Sequence, residues 1–321
     1  MKKYILLLSF MATLLGEMSA QQNPQYSQFM FNKLALNPAY AGSNQGGCVN
    51  CLYRTQWIGV EGAPTTQVLN AHTTLSGGMV GLGISIINDF IGPTNALGAN
   101  FNYAYRVPLG KGKFAMGLQG MFQRYVINQN KAKTLLPDDQ LFAEAQNSKV
   151  VGNVGVGFYY EGPEAYAGIS TNQIIPTDIS LLSDEVTTTN LESVAEPHFY
   201  LMAGKLITLS PTLRLKPAFL FKYSRNAPID FEAHTSFIFY DQFIAGISLR
   251  HGGSTAKGGV ESVNLIAQML VSNNVRIGAA YDITLSEITP FNSGTIELLL
   301  SYCLNGKRLL YHKKLGHPRY F

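Results

Sequence analysis

Period two dominates this chain from about residue 46 onward. Between Ala96 and Val107, Leu97, Ala99, Phe101, Tyr103, Tyr105 and Val107 fall on one side of an extended strand; Ala96, Gly98, Asn100, Asn102, Ala104 and Arg106 fall on the other. The split recurs at 213–224, where Leu213, Leu215, Pro217, Phe219, Phe221 and Tyr223 oppose Arg214, Lys216, Ala218, Leu220, Lys222 and Ser224. It recurs again at 275–284, where Val275, Ile277, Ala279, Tyr281 and Ile283 oppose Arg276, Gly278, Ala280, Asp282 and Thr284. Successive side chains of a strand point to opposite faces, so each segment is a ribbon with one greasy side and one polar or small side. The pattern predicts about fourteen strands: 47–59, 65–75, 79–88, 95–107, 112–126, 149–160, 164–171, 197–208, 212–224, 230–240, 242–251, 260–271, 274–285 and 293–304. Most reach the ~9–11 residues that cross a bilayer, whereas soluble strands centre on ~5–6.

The connections sort by length. Counting from the link after the first strand, the even links are short turns such as Leu75 to Gly78, Pro108 to Gly110 and Glu161 to Pro163. The long loops, Ile127 to Ser148, Asn172 to Glu196 and Thr284 to Asn292, are all odd. Outer-membrane barrels alternate short periplasmic turns with longer external loops in this way. Charged residues are 14% of the chain, and seventeen Tyr and eighteen Phe stand against one Trp. That composition suits a lipid-facing wall with aromatic girdles. The expected fold is therefore all-β, an antiparallel transmembrane β-barrel; a large soluble sandwich is the competing architecture. The inward set would be polar: Arg54, Gln56, Asn100, Asn102, Arg106, Gln119, Gln123, Arg214, Lys216, Lys222, Glu232, His234, Arg250, Gln268, Arg276, Asp282 and Glu297.

Both ends lie outside this pattern. Lys2-Lys3, an apolar core from Tyr4 to Leu15 and Met18-Ser19-Ala20 have the order of a secretory signal, giving a signal peptide at 1–20. Residues 21–46 are rich in aromatics yet neither alternate nor form a clean amphipathic helix. Tyr26, Phe29, Met30 and Phe31 need burial, so the segment is read as a latch or plug in the barrel lumen or its periplasmic mouth. The barrel then occupies 47–304. The tail, 305–321, carries Lys307, Arg308, Lys313, Lys314 and Arg319 and ends in the periplasm after an even strand count. Cys48 and Cys51 are spaced as a redox CxxC, but residues three apart on a strand face opposite sides and no helix follows. They are read as small strand residues, and no second Cys or His pair completes a zinc site.

The latch is also where the sequence resembles a known family. Gln25-Tyr26-Ser27-Gln28-Phe29-Met30-Phe31-Asn32, followed by Leu36-Asn37-Pro38-Ala39-Tyr40-Ala41-Gly42-Ser43, resembles the opening signature of the PorP/SprF family of type IX secretion and gliding motility. Tyr53-Arg54-x-Gln56-Trp57-x-Gly59, Gly62-Ala63-Pro64-x-Thr66 and the ending His317-Pro318-Arg319-Tyr320-Phe321 fit the same pattern. The resemblance implies a component of the cell outer membrane that binds and retains secreted surface proteins, an adhesin-like cargo, or their C-terminal sorting domains. A periplasmic type IX secretion or peptidoglycan-associated partner and outer-membrane lipid complete the expected partners. The residues singled out for seating the latch or touching a partner are Asn37, Pro38, Tyr40 and Gly42, with Arg54 and Trp57 on the adjoining strand.

Chemistry finds little support. None of the six histidines, His72, His198, His234, His251, His312 and His317, lies in a nucleophile elbow, an H-E-x-x-H or a phosphate-binding loop. Strand glycines such as Gly81, Gly83 and Gly152 to Gly157 are read as permitting close backbone approach or curvature. Asp89, Asp230 and His251 lie near rims with nothing linking them. The expectation is a non-enzyme without cofactor or metal. A net charge of +4 with no basic helix or RNA-reading motif argues against nucleic acid. The alternative function is an outer-membrane channel for small or hydrophobic solutes.

Overall fold

The computed structural model describes residues 23–44, 46–128, 146–180, 194–225, 227–252 and 259–304. The signal segment, the basic tail and the bulk of the two longest predicted loops lie outside the described residues.

The described residues form seventeen strands. They are β1 (Cys48–Thr55), β2 (Thr65–Leu75), β3 (Val80–Ile91), β4 (Thr94–Leu109), β5 (Gly112–Asn128), β6 (Gln146–Glu161), β7 (Ala165–Thr171), β8 (Thr177–Asp178), β9 (Val194–Ala195), β10 (His198–Lys205), β11 (Ile207–Ser210), β12 (Leu213–Ser224), β13 (Asp230–Phe239), β14 (Phe243–His251), β15 (Val260–Leu270), β16 (Val275–Thr284) and β17 (Thr295–Cys303). All but β8 and β9 join one sheet of consecutive antiparallel neighbours, and pairing of β10 with β12 and of β1 with β17 closes it on itself. β8 and β9 pair only with each other. β11 continues the line of β10 beyond Leu206 and also pairs with β12, so the wall has fourteen strand positions. Closure removes the sheet's edges, which is what lets β-structure stand in lipid.

The two faces of the ribbons go where the alternation sends them. Leu97, Phe101, Tyr103 and Tyr105 on β4 point outward, as do Leu118 and Phe122 on β5, each 60% exposed. Their inward neighbours Asn100, Asn102, Arg106 and Gln119 are buried in the lumen. A belt of exposed Leu, Ile, Val, Phe and Tyr around a polar interior is the arrangement of an outer-membrane barrel. The short turns, at 76–79, 110–111, 162–164, 211–212, 240–242 and 271–274, share one end; in outer-membrane barrels the short turns are periplasmic, which puts 56–64, 172–180, 194–197 and 285–294 at the external end.

Three details depart from the sequence reading. β1 stops at Thr55 because Trp57 (φ 48°) and Gly59 (φ 98°) turn the chain, and the Gln56 N–H closes the loop onto Pro64 O. The strand expected over 197–208 breaks at Leu206, whose side chain is buried and whose N–H bonds Glu164 O. Arg214 takes the inward face, opposite the buried Ile238, but at the rim rather than deep in the lumen, and pairs with the exposed Asp241 at 3.0 Å beside the periplasmic turn.

The cysteines require a correction. Cys48, the first residue of β1, faces Cys303, the last of β17, and the two form a disulfide. Only Cys51, a free thiol on the outer wall, is the plain strand residue expected of both. The reason is the closed topology: β1 and β17 are neighbours in space though 255 residues separate the cysteines.

Candidate latch seat in the lumen

Residues 23–43 fill the lumen, with three short 3-10 turns at Phe29–Phe31, Lys33–Ala35 and Pro38–Tyr40. Phe29, Met30, Leu34, Ala35, Leu36, Ala39 and Ala41 are all buried and form the core with inward wall residues such as Leu52, Met202 and Leu220. The contacts run in order along the barrel axis. Asn23 and Gln25 reach Tyr200 and Asp230, near the external ends of β10 and β13. Gly42 and Asn44 reach His72 and Cys48, at the periplasmic ends of β2 and β1. The segment therefore rises from the periplasmic mouth toward the external one.

The external half of the seat is ionic. The Glu297 carboxylate accepts the successive N–H groups of Ser27 and Gln28, each at 2.8 Å. Arg54 donates to Ser27 Oγ at 2.5 Å and pairs with Asp282 at 2.9 Å and Glu297 at 3.3 Å. The Ser27 hydroxyl in turn lies 2.6–2.7 Å from both Asp282 oxygens. Arg250 extends the cluster, 3.1 Å from Glu232 and 3.6 Å from Asp282. Arg54, Arg250, Glu232, Asp282 and Glu297 are each no more than 2% exposed. Buried charges persist only when paired and hydrogen-bonded, and here the latch backbone supplies part of that pairing.

The periplasmic half is aromatic. Lys33 Nζ sits 3.8 Å from the Tyr166 ring centre, 5.2 Å from Tyr40 and 5.9 Å from Tyr159, distances at which a ring face attracts a cation. Burial lowers the Lys33 pKa to about 7, partly opposed by the Glu161 carboxylate. Phe31 lies under two more cations, Lys216 at 4.9 Å and Arg276 at 5.0 Å.

The Asn37 side chain knits the last turn to the wall. Its Oδ1 accepts the Ala39 N–H at 2.9 Å, while Nδ2 donates to Phe158 O at 3.0 Å and Ile169 O at 3.3 Å. Pro38 opens that turn, where a missing N–H costs nothing. Tyr40 packs edge-on against His72 and Tyr159, at 5.4 and 5.5 Å between ring centres. Gly42 takes φ 73° and gives its N–H to His72 Nδ1 at 3.0 Å. Arg106 donates to the Ala39 and Ala41 carbonyls. The wall makes room by omitting side chains: a Cβ on Gly117 would overlap the Ala39 backbone, and one on Gly157 would overlap Asn37.

The structure thus gathers Asn37, Pro38, Tyr40 and Gly42 at the periplasmic half and Arg54 at the external half. Trp57 lies apart, in the loop after β1, with its N–H on Thr295 Oγ1 at 3.2 Å; among the described contacts none joins it to residues 23–43. Sequence reasoning placed Asp282 and Glu297 in the lumen but missed their hold on Ser27 and Gln28. It also passed over Lys33, whose cage joins Tyr40 of the latch itself to Tyr159 and Tyr166 of the β6–β7 hairpin, the first of these 126 residues further along the chain. Among the described residues no group of His, Cys, Asp and Glu could hold a metal.

A family model described as the type IX secretion system membrane protein PorP/SprF matches residues 18–302. The chain belongs to the PorP/SprF family. It is an outer-membrane component of type IX secretion. No curated protein matches this PorP/SprF sequence. Solved structures similar to it share the barrel at low identity. The CymD monoaromatic hydrocarbon channel is 13% identical, with a TM-score of 0.52 over 87% of this chain and 93% of that one. A mutant of the TodX monoaromatic hydrocarbon channel is 10% identical, with a TM-score of 0.50 over 88% and 95%. The Ralstonia pickettii toluene transporter TbuX is 9% identical, with a TM-score of 0.49 over 87% and 94%.

Proposed function

We propose that this PorP/SprF protein binds secreted surface proteins, or their C-terminal sorting domains, at the external face of the outer membrane and retains them there. In this reading residues 1–20 direct export, 21–46 form the latch, 47–304 form the barrel and 305–321 meet a periplasmic secretion or peptidoglycan-associated partner. Asn37, Pro38, Tyr40, Gly42 and Arg54 seat the latch, and Trp57 shapes the external loop after β1. The observation that carries the reading is the filled lumen. The latch is tied to the wall from Tyr200 to His72, and the cavity beside it, lined by Asn23, Tyr26, Asp89 and Tyr200 among others, measures about 50 Å³. That is room for a water or two, which favours a docking platform over an open pore.

A second reading, a channel for small or hydrophobic solutes, draws on the likeness to CymD and the TodX mutant, both described as hydrocarbon channels. It requires the latch to move. Two measurements separate the readings. The anchor predicts no stable conductance in planar bilayers and co-purification with a large secreted surface protein. A steady open pore with every surface protein still displayed in a deletion strain favours the channel.

A further inference from the structure

The barrel wall is uneven in height, and this leaves one strand edge open. β6 pairs with β5 along its whole length, from Glu161 opposite Lys113 to Gln146 opposite Asn128. On its other side it pairs with β7 only from Val156 to Glu161. A strand crosses the hydrocarbon core in ~9–11 residues, and β6 has 16. Its upper part, toward Gln146, therefore stands in the water outside the cell.

The chain itself starts to cover that edge and then leaves it. The Ile174 N–H donates to Val154 O at 3.0 Å. The next residues are diverted onto the Asn153 side chain, whose Oδ1 accepts from Ile174 and Ile175 at 3.1 and 3.2 Å and whose Nδ2 donates to Ile175 O at 2.6 Å. Pro176 has no N–H to give, Asp178 is drawn to Lys149, and β8 is committed to β9. The Ile174 bond also fixes the parity. In an antiparallel strand the N–H and C=O of one residue point to the same side and alternate along the chain. Val154, Gly152, Val150 and Ser148 thus turn their main-chain groups to the open side. Among the described residues no main-chain partner meets those of Ser148, Val150 and Gly152 there. Val150 is 67% exposed and Val154 47%. A valine-bearing open edge in water is a template for another strand.

We infer that Ser148 to Gly152 of β6 is the docking edge for an extended segment of the retained surface protein, which adds a strand to the wall. The inference rests on the retention reading above. The occupant follows from position and chemistry. The edge stands at the external mouth, where a secreted protein arrives, and the chain's own neighbouring residues are held off it by Asn153, Pro176 and the Lys149–Asp178 pair. Added strands gain affinity from main-chain bonds and specificity from alternate side chains. With Val150 and Val154 outward, and Phe122 opposite Gly152, the segment should alternate, with apolar residues on its outward face.

The test uses intact cells carrying the full chain and begins with the surface protein lost when this protein is deleted. Val150→Pro removes one open-side N–H and leaves the β5–β6 ladder untouched, because Val150 does not donate to β5. Val150→Thr keeps the N–H. The expected result is at least a fivefold loss of that surface protein into the medium with Val150→Pro and wild-type retention with Val150→Thr, the barrel being equally abundant in both. Wild-type retention with Val150→Pro overturns the inference. If Val150→Pro fails to assemble, Gly152→Cys decides. A disulfide to a cysteine placed in the surface protein supports docking, and one formed only to cysteines placed in residues 181–193 shows that the chain covers its own edge and overturns it. A deletion strain that loses no surface protein defeats the retention reading itself, and the inference with it.

Discussion

Glu297 shows how much one side chain can govern this molecule. It is fully buried, and its carboxylate holds two latch N–H groups at 2.8 Å and Arg54 at 3.3 Å. Glu297→Ala would orphan both N–H groups and leave Arg54 with Asp282 as its one remaining carboxylate beside the Ser27 hydroxyl. Removing one partner of a buried pair costs about 3–5 kcal/mol, enough to unseat a segment held by a modest net free energy. Asn37→Ala breaks three neutral hydrogen bonds, each worth about 0.5–1.5 kcal/mol, and leaves the Phe158 and Ile169 carbonyls largely satisfied by the ladder. The expected order of latch exposure is therefore Glu297→Ala above Asn37→Ala above wild type, read as chymotrypsin cleavage at Tyr26, Phe29 and Phe31 in purified barrels. Equal protection of all three proteins would show that the ionic half holds nothing.

At the level of the element, the latch joins an ionic external end to an aromatic periplasmic end, and the second gives it a pH response. Lys33 ionises at about 7 when seated and near 10.4 when free. The unseated state thus binds more protons between these values, and seating strengthens as pH rises through that window. Below pH 7 Lys33 is charged in both states and its contribution to the dependence ends. One proton corresponds to about a tenfold change in the seating constant per pH unit. Facing Lys33 are Tyr40 from the latch, Tyr159 and Glu161 from β6, Tyr166 from β7 and Arg276 from β16. Tyr40 is pushed upward by burial, so it stays neutral across the window. Chymotrypsin protection of the latch should rise from pH 7 to pH 10 in the wild type and stay level in Lys33→Met; a wild-type profile as flat as the mutant's would remove Lys33 from the balance. The latch was legible as a buried segment because Tyr26, Phe29, Met30 and Phe31 had no strand to occupy. Its partners were not, because strand periodicity says which face a residue takes and nothing about which distant strand stands across the lumen.

For the whole molecule, alternation and turn chemistry located the strands to within a few residues, since both are local. Closure is not local. It pairs β1 with β17 in a register that sets Cys48 opposite Cys303 and Arg54 opposite Glu297, and neither relation can be read from spacing. Trp57 fell off its strand for a local reason that the residue pattern concealed, a left-handed φ in a residue that seldom adopts one. The disulfide has a consequence of its own. It ties the two ends of the barrel at the periplasmic seam, where Asn44 leads the latch into the wall, 2.8 Å from Cys48 Sγ. Crosslinking a loop of this length removes about 5 kcal/mol of chain entropy from the opened state on the polymer model. Gel migration of unboiled protein against temperature should therefore show the folded band of Cys48→Ser, and of reduced wild type, converting to the unfolded one several degrees below oxidised wild type. Cys51→Ser should convert with the wild type, because that thiol points into lipid and bonds nothing across the seam. If oxidised and reduced wild type convert at one temperature, the seam is held by the β1–β17 ladder alone, and the covalent tie adds nothing to the barrel's resistance to opening.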